Sequence, residues 1–289
     1  MSELHILDAG RADCTVLLLD TPQGRRTVVV DGGGKYHEDR RPLLEFLTRR
    51  NIAVIDLLIL THLHQDHFGG FVHLVGRVQV RRAVAPCGDL RFADRVYPVF
   101  GDQEFYREYH DFFQYLECSG TELIRSADCS GRIFTFGDYA LECLYPLLDS
   151  TQRSVTYAQA LCDPDLTEEA MAWNLEAHKQ ACNEDSSIWL LRKGGADLAL
   201  LAGDSTDETM RAALCGRRIR PRLQKLSHHG ICTRYFSEYV QKIVKPEILV
   251  VSVDKIHYTE EMRAQVDALC AAGGSQGYYT FQGNVSISL

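Results

Sequence analysis

The sequence predicts an α/β fold arranged in layers. Two observations carry that expectation. Short β-rich runs alternate with segments of helical spacing over nearly all of the 289 residues. One run, Ile55 to Leu60, is almost continuously apolar, as in a strand buried on both faces. No repeat, low-complexity tract or Pro/Gly-rich linker interrupts the alternation. One domain over 1–289 is therefore expected, with insertions at about 86–130 and 147–185.

Leu4-His5-Ile6-Leu7 reads as a short strand. Thr15 to Leu19 and Arg26 to Val30 form a hairpin around the turn Thr21-Pro22-Gln23-Gly24. Asp31-Gly32-Gly33-Gly34 closes it with residues that tolerate positive φ. Glu38 to Arg49 has helical spacing through Leu43, Leu44 and Leu47. Strands are expected at Ser187–Leu191, Leu198–Leu201, Leu223–Leu226 and Ile248–Val253, with two more over 278–289. Helices are expected at Thr206–Leu214, Tyr235–Val244 and Glu260–Ala272. Asp165 to Cys182 is another expected helix. Nine aromatics fall between Phe92 and Tyr115, and Phe105, Tyr109, Phe112 and Leu116 share one helix face. That face either covers the core or stacks on a substrate.

Thirty-one basic against 39 acidic residues leave a net charge of −8. Such a balance gives no general pull toward polyanions. The apolar runs fall far short of the ~20 residues that span a bilayer. The start, Met1-Ser2-Glu3-Leu4-His5, lacks a signal-peptide pattern. None of the ten cysteines forms a C-x-x-C pair. Free thiols in a reducing cytoplasm are the expectation.

The chemistry concentrates at His62-Leu63-His64-Gln65-Asp66-His67-Phe68-Gly69-Gly70, directly after the buried strand. Imidazole and carboxylate together suit zinc, iron or manganese. Were the chain to stay extended, His62, His64 and Asp66 would point the same way. Chance produces such a cluster in roughly one of a thousand comparable sequences. Two metals need further ligands. Asp204 ends one expected strand, and Ser227-His228-His229-Gly230 ends another. Taken alone, Asp204 is equally a helix N-cap and His228 a core histidine.

These motifs, in this order, resemble the metallo-β-lactamase-fold hydrolases. Within them they resemble the branch related to the hydrolase domain of ComEC/Rec2 competence proteins. The opening His5-Ile6-Leu7-Asp8-Ala9-Gly10-Arg11-Ala12-Asp13, the segment Asn183-Glu184-Asp185-Ser186-Ser187 and the His228-His229-Gly230 triplet point to that branch. The resemblance implies a four-layer αβ/βα sandwich and two divalent ions, zinc foremost, with manganese or iron as alternatives. It implies His62 and His64 on the first ion, Asp66 and His67 on the second, and Asp204 bridging. His228 matches the last ligand best, with His229 the near alternative. Many relatives have a histidine where Asn183 stands, so Asn183, Asp185 or water is left to fill that place. His257 matches a histidine frequent in the branch. Arg11-Ala12 replaces the usual Gln-Gly. A free-standing relative without a membrane channel is the expectation.

The implied activity is a binuclear metal-dependent hydrolase using a metal-bound hydroxide, foremost a phosphodiesterase or nuclease. Asp66 or Asp204 would take a proton, and His229 or His257 would serve the leaving group. Arg218, Arg220 and Lys225, in a basic run leading to His228, would hold phosphates of a phosphodiester or nucleic-acid substrate. The alternatives are a small-molecule ester, lactone or phosphoryl hydrolase, and a partner-regulated module with a degenerate metal site.

Overall fold

The computed structural model describes residues 1–96, 103–231 and 244–289. Two seven-stranded sheets dominate. The first runs, in spatial order, Val285–Ser288 (β16), Glu3–Ile6 (β1), Cys14–Thr21 (β2), Gly24–Gly32 (β3), Leu57–Ile59 (β5), Arg82–Ala85 (β7) and Glu122–Arg125 (β8). The second runs Gln276–Tyr279 (β15), Ile248–Val251 (β14), Leu223–Lys225 (β13), Ala196–Leu201 (β12), Ile188–Lys193 (β11), Tyr139–Tyr145 (β10) and Ile133–Phe136 (β9). Val54–Ile55 (β4) and Gln79–Val80 (β6) form a small separate pair. The helices are Pro42–Arg49 (α1), Gln65–Phe68 (α2), Gln103–Cys118 (α3), Arg153–Ala160 (α4), Glu168–Glu184 (α5), Asp207–Leu214 (α6) and Glu260–Gly273 (α7).

Strand alternation explains the layering. In β2, Leu17 and Leu19 join Val28, Leu57 and Ile59 on one face, against Trp189, Leu191 and Leu201 of the second sheet. Val16 and Leu18 face the other way, onto Leu43, Phe68 and Phe112. Across the second sheet, Leu190, Leu200 and Leu249 pack under Met210 of α6 and Val266 of α7. Helix, sheet, sheet, helix is the four-layer αβ/βα sandwich.

Local differences from expectation have local causes. The apolar run at 55–60 breaks at Asp56, whose Oδ2 accepts the Thr27 amide at 2.9 Å and whose Oδ1 pairs with Arg26 and Arg81. Helix α1 starts only at Pro42, a residue suited to the first helical turn; Glu38 and Asp39 before it adopt positive φ. Phe105, Tyr109, Phe112 and Leu116 are buried against the first sheet, so the aromatic face of α3 is core and stacks on no substrate. The expected helix at 235–244 lies outside the described residues except for Val244. Among the described residues nine cysteines are free thiols, and no helix is long and apolar enough to cross a membrane.

Candidate metal centre

The loops that leave β5, β12 and β13 converge at one edge of the sandwich, beyond the carboxyl ends of parallel strands. After β5 the chain bends at His62 and Leu63, is extended at His64, and turns helical at Gln65. The extended run that would align His62, His64 and Asp66 is therefore not formed: His62 and His64 lie on the bent segment ahead of α2, and Asp66 and His67 arrive on its first turn. The turn demands glycine behind it. A Cβ on Gly70 would lie 2.0 Å from the Gly32 carbonyl oxygen. After β12, Gly203 (φ 49) delivers Asp204. A Cβ there would lie 2.5 Å from Ser186 Oγ. After β13, His228 and His229 both adopt left-handed φ, 49° and 54°. Such strain costs about 1–3 kcal/mol per residue and gathers at functional sites.

Three groups of ligand atoms result among the described residues: Asp204 belongs to two of them, and Asp13, Asp31 and His67 make the third. Of the two that share Asp204, Asp66, His67, Asp204 and His229 form the first; His62, His64 and Asp204 form the other. Within each, the ligand atoms lie within 4.8 Å of one another. Asp204 Oδ1 is 3.3 Å from His67 Nε2; its Oδ2 is 3.4 Å from His229 Nε2 and 3.9 Å from His62 Nε2. Asp66 Oδ2 is 3.0 Å from His229 Nε2, and His62 Nε2 is 3.0 Å from His64 Nδ1. Ligand atoms around one zinc-sized ion, at bonds of about 2.1 Å, lie roughly 3.4 Å apart.

The donor set fits divalent metal on an independent observation. His67 Nε2, Asp204 Oδ1, Asp13 Oδ1 and both ring nitrogens of His229 are buried with no hydrogen-bond partner among the described residues. Orphaned buried groups are rare in folded proteins, and their clustering here points to an ion that satisfies them. Outer partners aim the rings. His67 Nδ1 donates to Asp31 Oδ2 at 2.9 Å, and Asp31 also accepts the amide and hydroxyl of Thr61. His62 Nδ1 lies 3.1 Å from Thr61 Oγ1 and 3.2 Å from Ser186 Oγ.

The electrostatics of the metal-free chain follow this packing. Burial opposes charge on His67, but Asp204 and Asp31 outweigh it and hold the imidazole well above its ordinary range. Burial, with His67 and His64 adjacent, pushes His62 well below. Asp204 is buried, yet His67 and His229 hold its carboxyl well below the usual carboxylate range. Metal and proton therefore compete for the same nitrogens.

The structure corrects several expected sites. His229, 1% exposed, joins the first group, whereas His228, 38% exposed, stands 4.0 Å from Asp204 at the rim. The swap follows from backbone torsion, since two successive left-handed residues turn the second imidazole inward. Arg218 and Arg220 precede β13 and lie at the opposite end of the strand; the Arg220 amide donates to Asp197 Oδ2, near the start of β12. Lys225 is buried at the site, paired with Asp13, and cannot reach a substrate phosphate. Asp185 accepts the amide and hydroxyl of Ser154, so it is occupied. Asn183 Oδ1 is buried without a hydrogen-bond partner among the described residues. His257 lines a cleft of about 560 Å³ together with Asp66, Arg11, Lys35 and Asp254. Asp31 precedes Gly32-Gly33-Gly34 and reads as a turn former, and Asp13, between Ala12 and Cys14, gives no local signal of a site.

A family model described as metallo-beta-lactamase superfamily matches residues 9–105. The chain has the metallo-β-lactamase fold. Over 100 residues it is 33% identical to ComE operon protein 3 of Bacillus subtilis (strain 168), covering 30% of this chain and 13% of that protein. It is 36% identical over 74 residues to hydroxyacylglutathione hydrolase of Serratia proteamaculans (strain 568), covering 26% of this chain and 27% of that one. The chain thus spans well under a third of these curated relatives. Among solved structures, a new diphosphatase from the PhnP family aligns with 100% of this chain and 98% of its own, at TM-score 0.52 and 12% identity.

Proposed function

We propose that the protein is a binuclear metal-dependent hydrolase of phosphodiesters, working as one domain and related to the ComEC/Rec2 branch. The observation that carries the hydrolase reading is the pair of ligand groups sharing Asp204. His62 and His64 would hold one ion, Asp66, His67 and His229 the other, with zinc the foremost candidate. Two such ions supply a water of lowered pKa and Lewis acidity toward the attacked group.

The chain's own residues supply the rest. In the cleft beside Asp66, Lys35 pairs with Glu104 and Glu108, and His257 Nδ1 donates to Asp254 Oδ1 at 2.8 Å. Arg11 lines the same cleft, exposed, with no hydrogen bond or ion pair among the described residues. A free guanidinium beside the ligands favours an anionic substrate. His257, oriented by Asp254, presents Nε2 as the proton donor to a leaving oxygen. The likeness to a diphosphatase supports phosphoryl chemistry. The buried aromatic face and the distant Arg218 and Arg220 remove the features that favoured a polynucleotide, so a small phosphodiester is the substrate class.

The test is turnover of bis-p-nitrophenyl phosphate, and of single- and double-stranded DNA and RNA, by the Mn²⁺- or Zn²⁺-loaded protein. Hydrolysis should disappear in His64→Ala and Asp204→Asn, and Arg11→Ala should raise KM about tenfold, the worth of one charge-assisted hydrogen bond. Turnover indifferent to His64 and Asp204 would sink the reading. The match to hydroxyacylglutathione hydrolase favours a second reading, a small-molecule ester or thioester hydrolase. Turnover of such esters with none of phosphodiesters would select it.

A further inference from the structure

The ligands of the metal centre come in two halves. His62, His64, Asp66 and His67 ride on the first sheet, Asp204 and His229 on the second. Their spacing depends on how the two sheets meet at this edge. Two residues outside the ligand groups that share Asp204 join the halves there. Asp13, just ahead of β2, is tied to the first half through its backbone. Its amide donates to the Asp66 carbonyl at 3.1 Å, and its carbonyl accepts the Gly33 amide at 2.7 Å. Lys225 ends β13 in the second sheet. Its ammonium donates to Asp13 Oδ2 and, at 3.2 Å, to the Gly203 carbonyl beside Asp204. It also lies 3.9 Å from Asp204 Oδ1. The free oxygen of Asp13 faces His229 Nδ1 at 3.4 Å. Both side chains are buried, at 3% and 5% exposure, so no solvent competes for the contact.

We propose that Asp13 and Lys225 form an inter-sheet clamp that positions the two halves of the metal centre and orients His229 for the ion it shares with Asp66 and His67. The inference rests on the metal-centre reading above. The clamp makes Lys225 a positioning residue. One side chain fixes the loop carrying Asp204 and, through Asp13, both the ring of His229 and the backbone of Asp66. Removing outer partners of metal ligands typically weakens binding 10–100-fold. The larger loss should fall on the ion held by Asp66, His67 and His229, because His62 of the other group takes its outer contacts from Thr61 and Ser186 instead.

Metal titration of the full chain, followed by the d–d spectrum of the cobalt-loaded protein, tests the clamp. Wild type should bind two ions. Lys225→Met and Asp13→Asn should each weaken the ion held by Asp66, His67 and His229 10–100-fold and change its cobalt spectrum, with a smaller loss at the other ion, which shares Asp204 with it. The double variant should lose no more than the worse single, since the two residues act as one unit. Asp13→Asn is nearly isosteric and serves if Lys225→Met does not fold. Two ions at wild-type affinity with an unchanged spectrum in both variants would overturn the clamp alone. A wild-type protein without tight metal would overturn the clamp and the metal-centre reading together.

Discussion

Asp204 concentrates more of the chemistry than any other described residue. Its two oxygens face imidazoles of both ligand groups, and His67 and His229 hold its carboxyl below the usual range against burial. Asp204→Asn removes the shared charge and should lower turnover by several kcal/mol of transition-state stabilisation, about 10³-fold or more. The two histidines after β13 separate by role. His229→Ala should cost one metal equivalent, while His228→Ala should leave the metal content unchanged; elemental analysis of the two variants decides. His257→Ala should retain both ions and lose about 10²-fold in kcat, the ordinary worth of a proton donor. At this scale the sequence displayed His62, His64, Asp66, His67 and Asp204, because their spacing after strands is itself the signal. It did not display the choice between His228 and His229, which depends on two successive left-handed φ angles that no local sequence pattern announces. Nor did it display Lys225 as a partner of Asp13, a contact across 212 positions of sequence.

Helices α3 and α5 hold the loop that carries the histidines. Phe112 of α3 packs on Phe68 and Phe71, immediately behind His67. Phe112→Ala should destabilise the fold by about 3–5 kcal/mol in denaturant titration, with no effect on KM, because the ring touches core and not cleft. On α5, Cys182 donates weakly to the Leu63 carbonyl, and His178 sits fully buried between Tyr106 Oη and the Ser154 carbonyl. Burial pushes the His178 pKa down to about 4 from 6.5. The folded chain therefore holds this imidazole neutral where the unfolded chain protonates it. Its contribution is fully present above pH 6.5 and is lost as pH falls toward 4. Between pH 7 and pH 5 that loss is about 2 kcal/mol. A His178→Gln variant should unfold with correspondingly less pH dependence over this interval. The aromatic spacing of α3 was legible as one face. Its burial was not, because a helix face pointing at a sheet and one pointing at a cleft have the same periodicity. Asp56 shows the converse: a single carboxylate within an apolar run splits a strand only because Arg26, Arg81 and the Thr27 amide converge on it.

Over the whole molecule, two sheets with helices outside place the carboxyl ends of β5, β12 and β13 at a common edge. The fold class was readable because strand alternation and helical spacing hold over most of the chain, and because each ligand cluster follows an expected strand. The net charge of −8 reads differently once located. Asp13, Asp31, Asp66 and Asp204 lie together at the metal centre, where two divalent cations and Lys225 would offset them. Binding ions to the folded state alone should also raise thermal stability, so chelation should lower the melting temperature of wild type more than that of Asp204→Asn. The most direct measurement is the metal content of the purified wild-type chain beside that of Asp204→Asn. The shared-carboxylate centre predicts two tightly bound divalent ions per wild-type chain and fewer than one in the variant. Two ions retained by Asp204→Asn, or none in wild type, would contradict it.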